Sequence, residues 1–153
     1  MKLMVINGPN LNLLGKREPE HYGKETYKDL CEKIFNHAKE IGVEVEIYQS
    51  NHEGDLVDFI QKAAAEGAEI VGELEIAYRI ASGTFVAITG TNGKTTTTTL
   101  VGEIFRNSKR KTHVVGNIGV AVISKSMEAD EDDWLVTETS SFQLETICDF
   151  KPV

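Results

Sequence analysis

The sequence predicts an α/β protein in which helices cover both faces of a mostly parallel sheet of about five to six strands, a three-layer α/β/α sandwich. Two observations predict this fold class. Short apolar runs such as residues 3–6 and 85–88 are typical of strands buried on both faces. Between such runs, apolar residues recur every three or four positions, as on one face of a helix. Strands and helices that alternate in this way favour a parallel sheet.

The first elements follow this alternation. Residues 3–6 predict a buried strand, and the polar, glycine-rich residues 8–25 predict a long loop, a feature that is often functional. An apolar stripe over residues 27–41 predicts a helix that Gly42 ends. Alternating apolar residues over 43–47 predict the second strand.

Two further helices are predicted before the middle of the chain. Ser50 and Glu53 have the spacing of a capping box, which predicts a helix that ends at Gly67. Residues 68–71 form a short apolar run that fits a brief strand. A stripe over residues 74–81 predicts the next helix.

The second half predicts three more strands. They lie at residues 85–88, 114–115 and 134–136, and helices are predicted after the first and over residues 120–127. Residues 150–153 have the pattern of the start of another strand. We therefore expect the strand at 134–136 to lie at an exposed edge of the sheet, where self-association through strand pairing becomes possible.

Composition limits the classes of function. The chain has 153 residues, 41% of them hydrophobic, and a net charge of −8 with a pI near 5.0. This size predicts a single domain over residues 1–153, and the acidic balance argues against nucleic acid as a partner. No apolar run is long enough to predict a membrane span, so no membrane partner is expected. Cys31 and Cys148 match no metal-binding spacing, which favours a reducing, cytoplasmic location.

The strongest chemical signal is a glycine-rich loop between the strand at 85–88 and the following helix. Glycines allow the backbone N–H groups to turn inward, and a helix N-terminus attracts anions. Lys94 can reach phosphate oxygens, and the Thr95 hydroxyl can bind Mg²⁺. The strict Walker pattern fails, because Ile88 stands where that pattern has a glycine. The candidate phosphate-binding residues are Gly90, Thr91, Asn92, Gly93, Lys94, Thr95 and Thr96.

Further nucleotide contacts are expected where neighbouring strands end, since ligands of parallel sheets bind at that edge. Asn117 follows one strand and is a candidate nucleotide contact, and Glu138 ends the next. Thr95 and Glu138 are therefore the candidate Mg²⁺ ligands, Glu138 directly or through water. The alternative is a glycine turn capped by threonines, with Glu138 as a solvated or capping residue.

The first part of the chain resembles a known enzyme family. The motifs INGPNLNLLG (6–15), REP with YG (17–23) and QSNHEG (49–54) make residues 1 to about 67 similar to type II 3-dehydroquinate dehydratase, a small flavodoxin-like enzyme. The resemblance implies that Tyr22 is the general base, Arg17 its loop partner and Asn10 a group that stabilises the enolate. The later motifs of the family, including its histidine acid, do not follow, so we expect this set to be vestigial and not catalytic.

The rest of the chain resembles a second family. The motifs EIVGE (69–73), AITGTNGKT (87–95), GNIG (116–119) and ETSSFQLE (138–145) make residues from about 68 to 153 similar to the central ATP-binding domain of a Mur ligase, UDP-N-acetylmuramoylalanine–D-glutamate ligase. The resemblance implies ATP phosphates on the loop and Mg²⁺ on Thr95 and Glu138. It also implies that Asn117, Ser141 and Gln143 lie towards the substrate. We expect no ligase activity, because the family's downstream histidine, modified lysine and flanking domains lie outside the resemblance.

The two resemblances together predict a chimera with no complete active site, of engineered appearance, although a natural fusion or a gene-prediction artefact remains an alternative. Three functions stay open. The first is a P-loop that binds phosphate or, weakly, ATP with Mg²⁺. The second is a purely structural protein without a ligand, and the third is residual dehydratase activity.

Overall fold

The computed structural model describes residues 1–16 and 24–153, which form two compact units, Met1–Ile70 and Val71–Val153. The sequence predicted a single domain with a change of resemblance near residue 67, and the boundary between the units lies close to that position. The described strands form two parallel sheets, one in each unit, instead of the single sheet that was predicted. A continuous apolar pattern predicts that a strand is buried but not which strand it pairs with.

Among its described residues, 1–16 and 24–70, the first unit has two strands and two α-helices. They are β1 (Lys2–Asn7), α1 (Tyr27–Glu40), β2 (Glu44–Gln49) and α2 (Glu53–Ala65), with a 3-10 turn at Leu11–Leu13. β1 and β2 pair in parallel with Lys2 opposite Glu44. The Asn7 side chain donates to the Tyr27 hydroxyl of α1 at 3.1 Å, and the Tyr48 ring contacts Phe59 of α2. Because Asn7 and Tyr48 belong to opposite faces of the pleat, the two helices cover opposite faces.

The beginnings of these helices differ from each other. Thr26 and Asp29 form a capping box at α1, in which the Thr26 hydroxyl accepts from the Asp29 N–H. At α2 the predicted capping box is wrong. The Ser50 hydroxyl accepts from the His52 N–H and donates to Asp55, so it does not cap the helix, which begins at Glu53 without a side-chain cap.

The second unit contains three strands and four helices. They are α3 (Glu73–Ile80), β3 (Thr84–Ile88), α4 (Lys94–Asn107), β4 (Thr112–Gly116), α5 (Val122–Ser126), β5 (Trp134–Glu138) and α6 (Ser141–Leu144). The strand order is β3–β5–β4, with both pairs parallel. The expectation that β5 is an edge strand is wrong, because β5 lies between the other two. The brief strand that the sequence fitted to residues 68–71 is also absent: these residues belong to neither sheet.

Helices cover both faces of this sheet, as predicted for a parallel α/β fold. On one face, Phe85, Val115 and Leu135 pack with Leu74 of α3 and Val122 of α5 in a buried cluster. On the other face lies α4, where Gly102 approaches Val114 so closely that a side chain would overlap it. The Phe105 ring of α4 also meets Trp134 edge to face at 4.9 Å. Burial of this kind is the main stabilising contribution to such a unit.

Among the described residues, no helix combines the length and the apolar character that crossing a bilayer requires.

Candidate phosphate-binding site

The glycine-rich loop joins β3 to α4, as the sequence predicted. Gly93 caps the helix in the left-handed region, with φ of 78°, and Gly90 has φ of 150°. A residue with a Cβ adopts such angles only at a cost, which is why glycine is suited to both places. No side chain caps α4, so the N–H groups of its first turn point out of the helix end. Anions are stabilised at such an end.

Lys94 is the first residue of α4, and its side chain turns back towards the loop. Its Nζ donates to the Gly90 carbonyl at 2.8 Å, which holds the ammonium group over the start of α4. A positive charge and a set of outward N–H groups are thus brought together. Both are attractive to a phosphate group.

The threonine run has a local structural role. Thr98 is fully buried and its hydroxyl donates to the Lys94 carbonyl at 2.8 Å, while the Thr99 hydroxyl donates to the Thr95 carbonyl. A threonine hydroxyl inside a helix often donates to the carbonyl one turn before it, and this bond satisfies the hydroxyl without a partner from outside the helix. Thr95 and Thr96 are exposed at the helix start. The hydroxyls of Thr98 and Thr99 therefore tie the first turn of α4 to the next.

The ends of all three strands of this sheet meet at one rung. Ile88 of β3 and Gly116 of β4 are both in register with Glu138 of β5, one on each side. The Thr139 N–H donates to the Ile88 carbonyl at 2.9 Å, and the Asn117 N–H donates to the Glu138 carbonyl at 3.1 Å. The loop, Asn117 and Glu138 consequently belong to the same carboxyl edge of the sheet, where parallel α/β proteins bind ligands.

Glu138 is the acidic group of this edge. By the alternation of the strand, its side chain lies on the sheet face that α4 covers. It is only 5% exposed, and its Oε2 atom has no hydrogen-bond partner among the described residues. A buried carboxylate oxygen without a partner is costly, and a cation is one way to offset that cost. A carboxylate oxygen of this kind is a type of ligand that Mg²⁺ binds.

No group of three or more His, Cys, Asp or Glu side chains within the described ranges is placed to hold a metal ion. A magnesium ion here would therefore take its remaining oxygens from phosphate and water, which is usual for this ion.

Two of the residues that the ligase resemblance places towards the substrate lie in α6. Gln143 is occupied in a capping box with Ser140, whose N–H donates to Gln143 Oε1 at 2.9 Å. Ser141 and Asn117 are exposed. The Gln143 side chain thus holds the start of α6, a role that its spacing from Ser140 could have predicted.

The dehydratase residues fall in the first unit. Asn10 is exposed and has φ of 68°, and its N–H donates to Asn51 Oδ1 at 2.8 Å. The Gln49 side chain also donates to Asn51, so the turn after β1 is held by residues that follow β2. Arg17 and Tyr22, the other members of the predicted set, lie outside the described residues.

Sequence reasoning missed two buried acidic residues of the second unit. Glu75 of α3 and Asp133 before β5 are each 1% exposed. Hydrogen bonds from the Cys148 N–H and other donors lower the pKa of Glu75 to about 2. Burial opposes ionisation of Asp133, but Lys111, His113 and a backbone N–H hold its pKa at about 2. For Glu75, the sequence signal was its position beside the apolar stripe of α3.

Curated relatives cover one part of the chain. UDP-N-acetylmuramoylalanine–D-glutamate ligase of Alkaliphilus oremlandii is 66% identical over 96 residues, and the enzyme of the same name from Clostridioides difficile is 55% identical over 95 residues. These matches cover 63% and 61% of this chain. The chain spans about 21% of the length of these relatives. A segment similar to this ligase is therefore present.

Two solved structures of type II dehydroquinases are also similar. The enzyme from Butyrivibrio crossotus is 27% identical, with coverage of 95% of this chain and 90% of that chain and a TM-score of 0.44. The enzyme from Propionibacterium acnes is 22% identical, with coverage of 95% and 92% and the same TM-score.

The family model described as Dehydroquinase class II matches residues 1–124. This match runs beyond residue 67, where the sequence predicted that the resemblance changes, and it overlaps the ligase matches, because the two together exceed the length of the chain. A succession of buried strands and amphipathic helices is common to both halves. By this match over most of its length, the chain belongs to the class II dehydroquinase family.

Proposed function

We propose that this chain is a chimera of a dehydratase fragment and a ligase fragment, and that it binds phosphate, or weakly ATP with Mg²⁺, at residues 90–96. The observation that carries the proposal is the uncapped start of α4, entered through left-handed Gly93, with the Lys94 ammonium group held over it. N–H groups, a helix dipole and a cation then act on the same ligand.

Glu138 supports the inclusion of Mg²⁺. A bound magnesium ion would neutralise phosphate charge and link the ligand to the sheet edge. The buried Oε2 atom of Glu138 and the exposed Thr95 hydroxyl are the groups that would hold it. Adenine contacts are not part of this proposal, so the expected affinity comes from the phosphates alone.

Calorimetric titration of ATP with Mg²⁺, and of inorganic phosphate, tests the proposal. We expect saturable heats for the unaltered chain and about tenfold or more weaker binding for Lys94→Ala, because a charge-assisted contact is lost. Lys39→Ala removes an exposed lysine from α1 and should bind as the unaltered chain does. Equal heats for the unaltered chain and Lys94→Ala would contradict binding through the Lys94 loop, and no heat for either would favour a purely structural chimera.

A second candidate is residual dehydratase activity, which the family match over residues 1–124 favours. In this proposal Tyr22 removes the substrate proton, Arg17 assists it and Asn10 stabilises the enolate by hydrogen bonding. An ultraviolet assay for dehydroshikimate formation is the test. Turnover that disappears in Tyr22→Phe would support this candidate, and no turnover at high protein concentration would exclude it.

A further inference from the structure

A single buried carboxylate organises the last residues of the second unit. Glu75, on α3, faces the segment 145–153, which we call the C-terminal strap. Its Oε2 atom accepts from the N–H groups of Cys148 at 3.0 Å and Phe150 at 3.2 Å. Its Oε1 atom accepts from the Asp149 N–H at 2.9 Å and from Arg79 Nε at 2.8 Å. The four positions at which a carboxylate accepts hydrogen bonds are thus all used.

Ring contacts, an ion pair and a backbone hydrogen bond complete the attachment of the strap. The ring of Phe150, 5% exposed, meets Tyr78 and Phe85 edge to face at centroid distances of 5.3 and 5.6 Å. Arg79 also pairs with Asp149 at 3.2 Å, and the Val153 N–H donates to the Phe85 carbonyl at 3.0 Å. Attachment therefore depends on the Glu75 carboxylate, on the Phe150 ring and Ile147 in the core, on the Arg79–Asp149 ion pair and on one backbone hydrogen bond to β3.

The strap itself contains no helix or strand, so its backbone has little support of its own. β5, in contrast, is hydrogen-bonded along both sides. Segments that lie outside the sheet ladders can open locally, at lower free energy than the global unfolding of the protein. We propose that the C-terminal strap is a latch that Glu75 fastens, and that it opens as one unit while the β3–β5–β4 sheet stays folded.

Opening of this latch changes the surface of the second unit. The Tyr78 and Phe85 rings lose their contacts with Phe150, and the Phe85 carbonyl loses the Val153 N–H that donates to it. The latch is thus a conformational device of the fold that is separate from the loop at residues 90–96.

Hydrogen exchange of the unaltered chain, followed residue by residue by NMR in low concentrations of denaturant, is the first test. We expect the amides of residues 148–150 to exchange with one common protection factor and with little dependence on denaturant. The amides of Leu135 and Val136 should exchange more slowly and with the dependence of global unfolding. The same protection and denaturant dependence in both groups would overturn the proposal.

Glu75→Gln provides the second test. An amide nitrogen cannot accept, so at least two donors lose their acceptor, and we expect the protection of residues 148–150 to fall together by about tenfold or more. Protection of Leu135 and Val136 should remain within the error of the measurement. Glu103→Gln, an exposed position on α4, is the matched control. Unchanged protection at residues 148–150 in folded Glu75→Gln would overturn the role of Glu75, and if this variant does not fold, the first test still decides.

Discussion

Gly116 and Glu138 face each other on one rung of the β4–β5 ladder, with no room for a side chain at position 116. A Cβ there would overlap the Glu138 carbonyl oxygen and lie 3.0 Å from the Glu138 nitrogen, and Gly116 has φ of 108°. The glycine therefore permits the close approach that sets the backbone of the candidate magnesium ligand.

Replacement of this glycine should be costly. We expect Gly116→Ala to lower the free energy of unfolding by about 2–4 kcal/mol, since it combines strain at positive φ with overpacking. Urea unfolding followed by circular dichroism measures the loss. Gly119→Ala has a similar positive φ but an open surrounding, with Val114 O at 3.6 Å, and should lose only about 1 kcal/mol. Equal losses would show that the clash with Glu138 is relieved.

Removal of Mg²⁺ should act through Glu138. In the unaltered chain, we expect chelation by EDTA to weaken ATP binding by about tenfold or more. Glu138→Gln should already bind at this weaker level, and EDTA should change it little, because its buried ligand oxygen is gone. Titration calorimetry with and without EDTA measures both, with Glu103→Gln as the charge-matched control. An undiminished response to EDTA in Glu138→Gln would contradict the assignment.

Stability of the second unit should depend on acid pH. The pKa values of Glu75 and Asp133 are lowered to about 2 in the folded chain, from ordinary values of 4.5 and 3.8. Groups with a lowered folded pKa stabilise the fold above their unfolded pKa. This stabilisation should be complete above about pH 5 and should be lost as the pH falls towards 2. Urea unfolding at a series of pH values measures the loss.

Asp133→Asn separates one of these contributions. This variant should be less stable near neutral pH, because Lys111 and His113 lose a charged partner at 2.8 and 2.9 Å. Its stability should also fall less steeply in acid. Asp132→Asn, the exposed neighbour, should follow the unaltered chain. An acid profile of Asp133→Asn parallel to that of the unaltered chain would contradict the linkage.

The first unit offers a test of helix capping. Thr26→Ala removes the hydroxyl that accepts from the Asp29 N–H. We expect this variant to lower the free energy of unfolding by about 1 kcal/mol. Ser50→Ala removes the hydroxyl that a sequence motif suggested as a cap for α2. Because that hydroxyl instead bonds to His52 and Asp55, we expect the helical start at Glu53 to persist in this variant. Backbone chemical shifts measure the helix start in each case.

Patterns local in the chain predicted most of the elements. Periodicity placed α1, and the glycines at 42 and 67 ended helices through left-handed conformations with φ of 70° and 78°. The strand–loop–helix context of residues 90–96 predicted the position of the candidate site. Local patterns succeed here because helix caps and buried strands depend on neighbouring residues.

Features that depend on distant residues were not predictable in this way. The central place of β5 and the separation into two sheets depend on pairing partners far apart in the chain. The hydrogen bonds from residues 148–150 to Glu75 span more than 70 positions, and no local sequence motif predicts them. The register that places Gly116 beside Glu138 is likewise a property of the folded sheet.

The central place of β5 also sets the order in which the second unit can fold. β3 and β4 have no ladder with each other, and each forms its ladder with β5, which follows both in the chain. During synthesis on a ribosome, β3 and β4 therefore cannot form their ladders until β5 (Trp134–Glu138) has been made. Such non-local pairing slows folding and exposes apolar strands for longer. The yield of folded protein should thus depend on how quickly the final segment follows the rest.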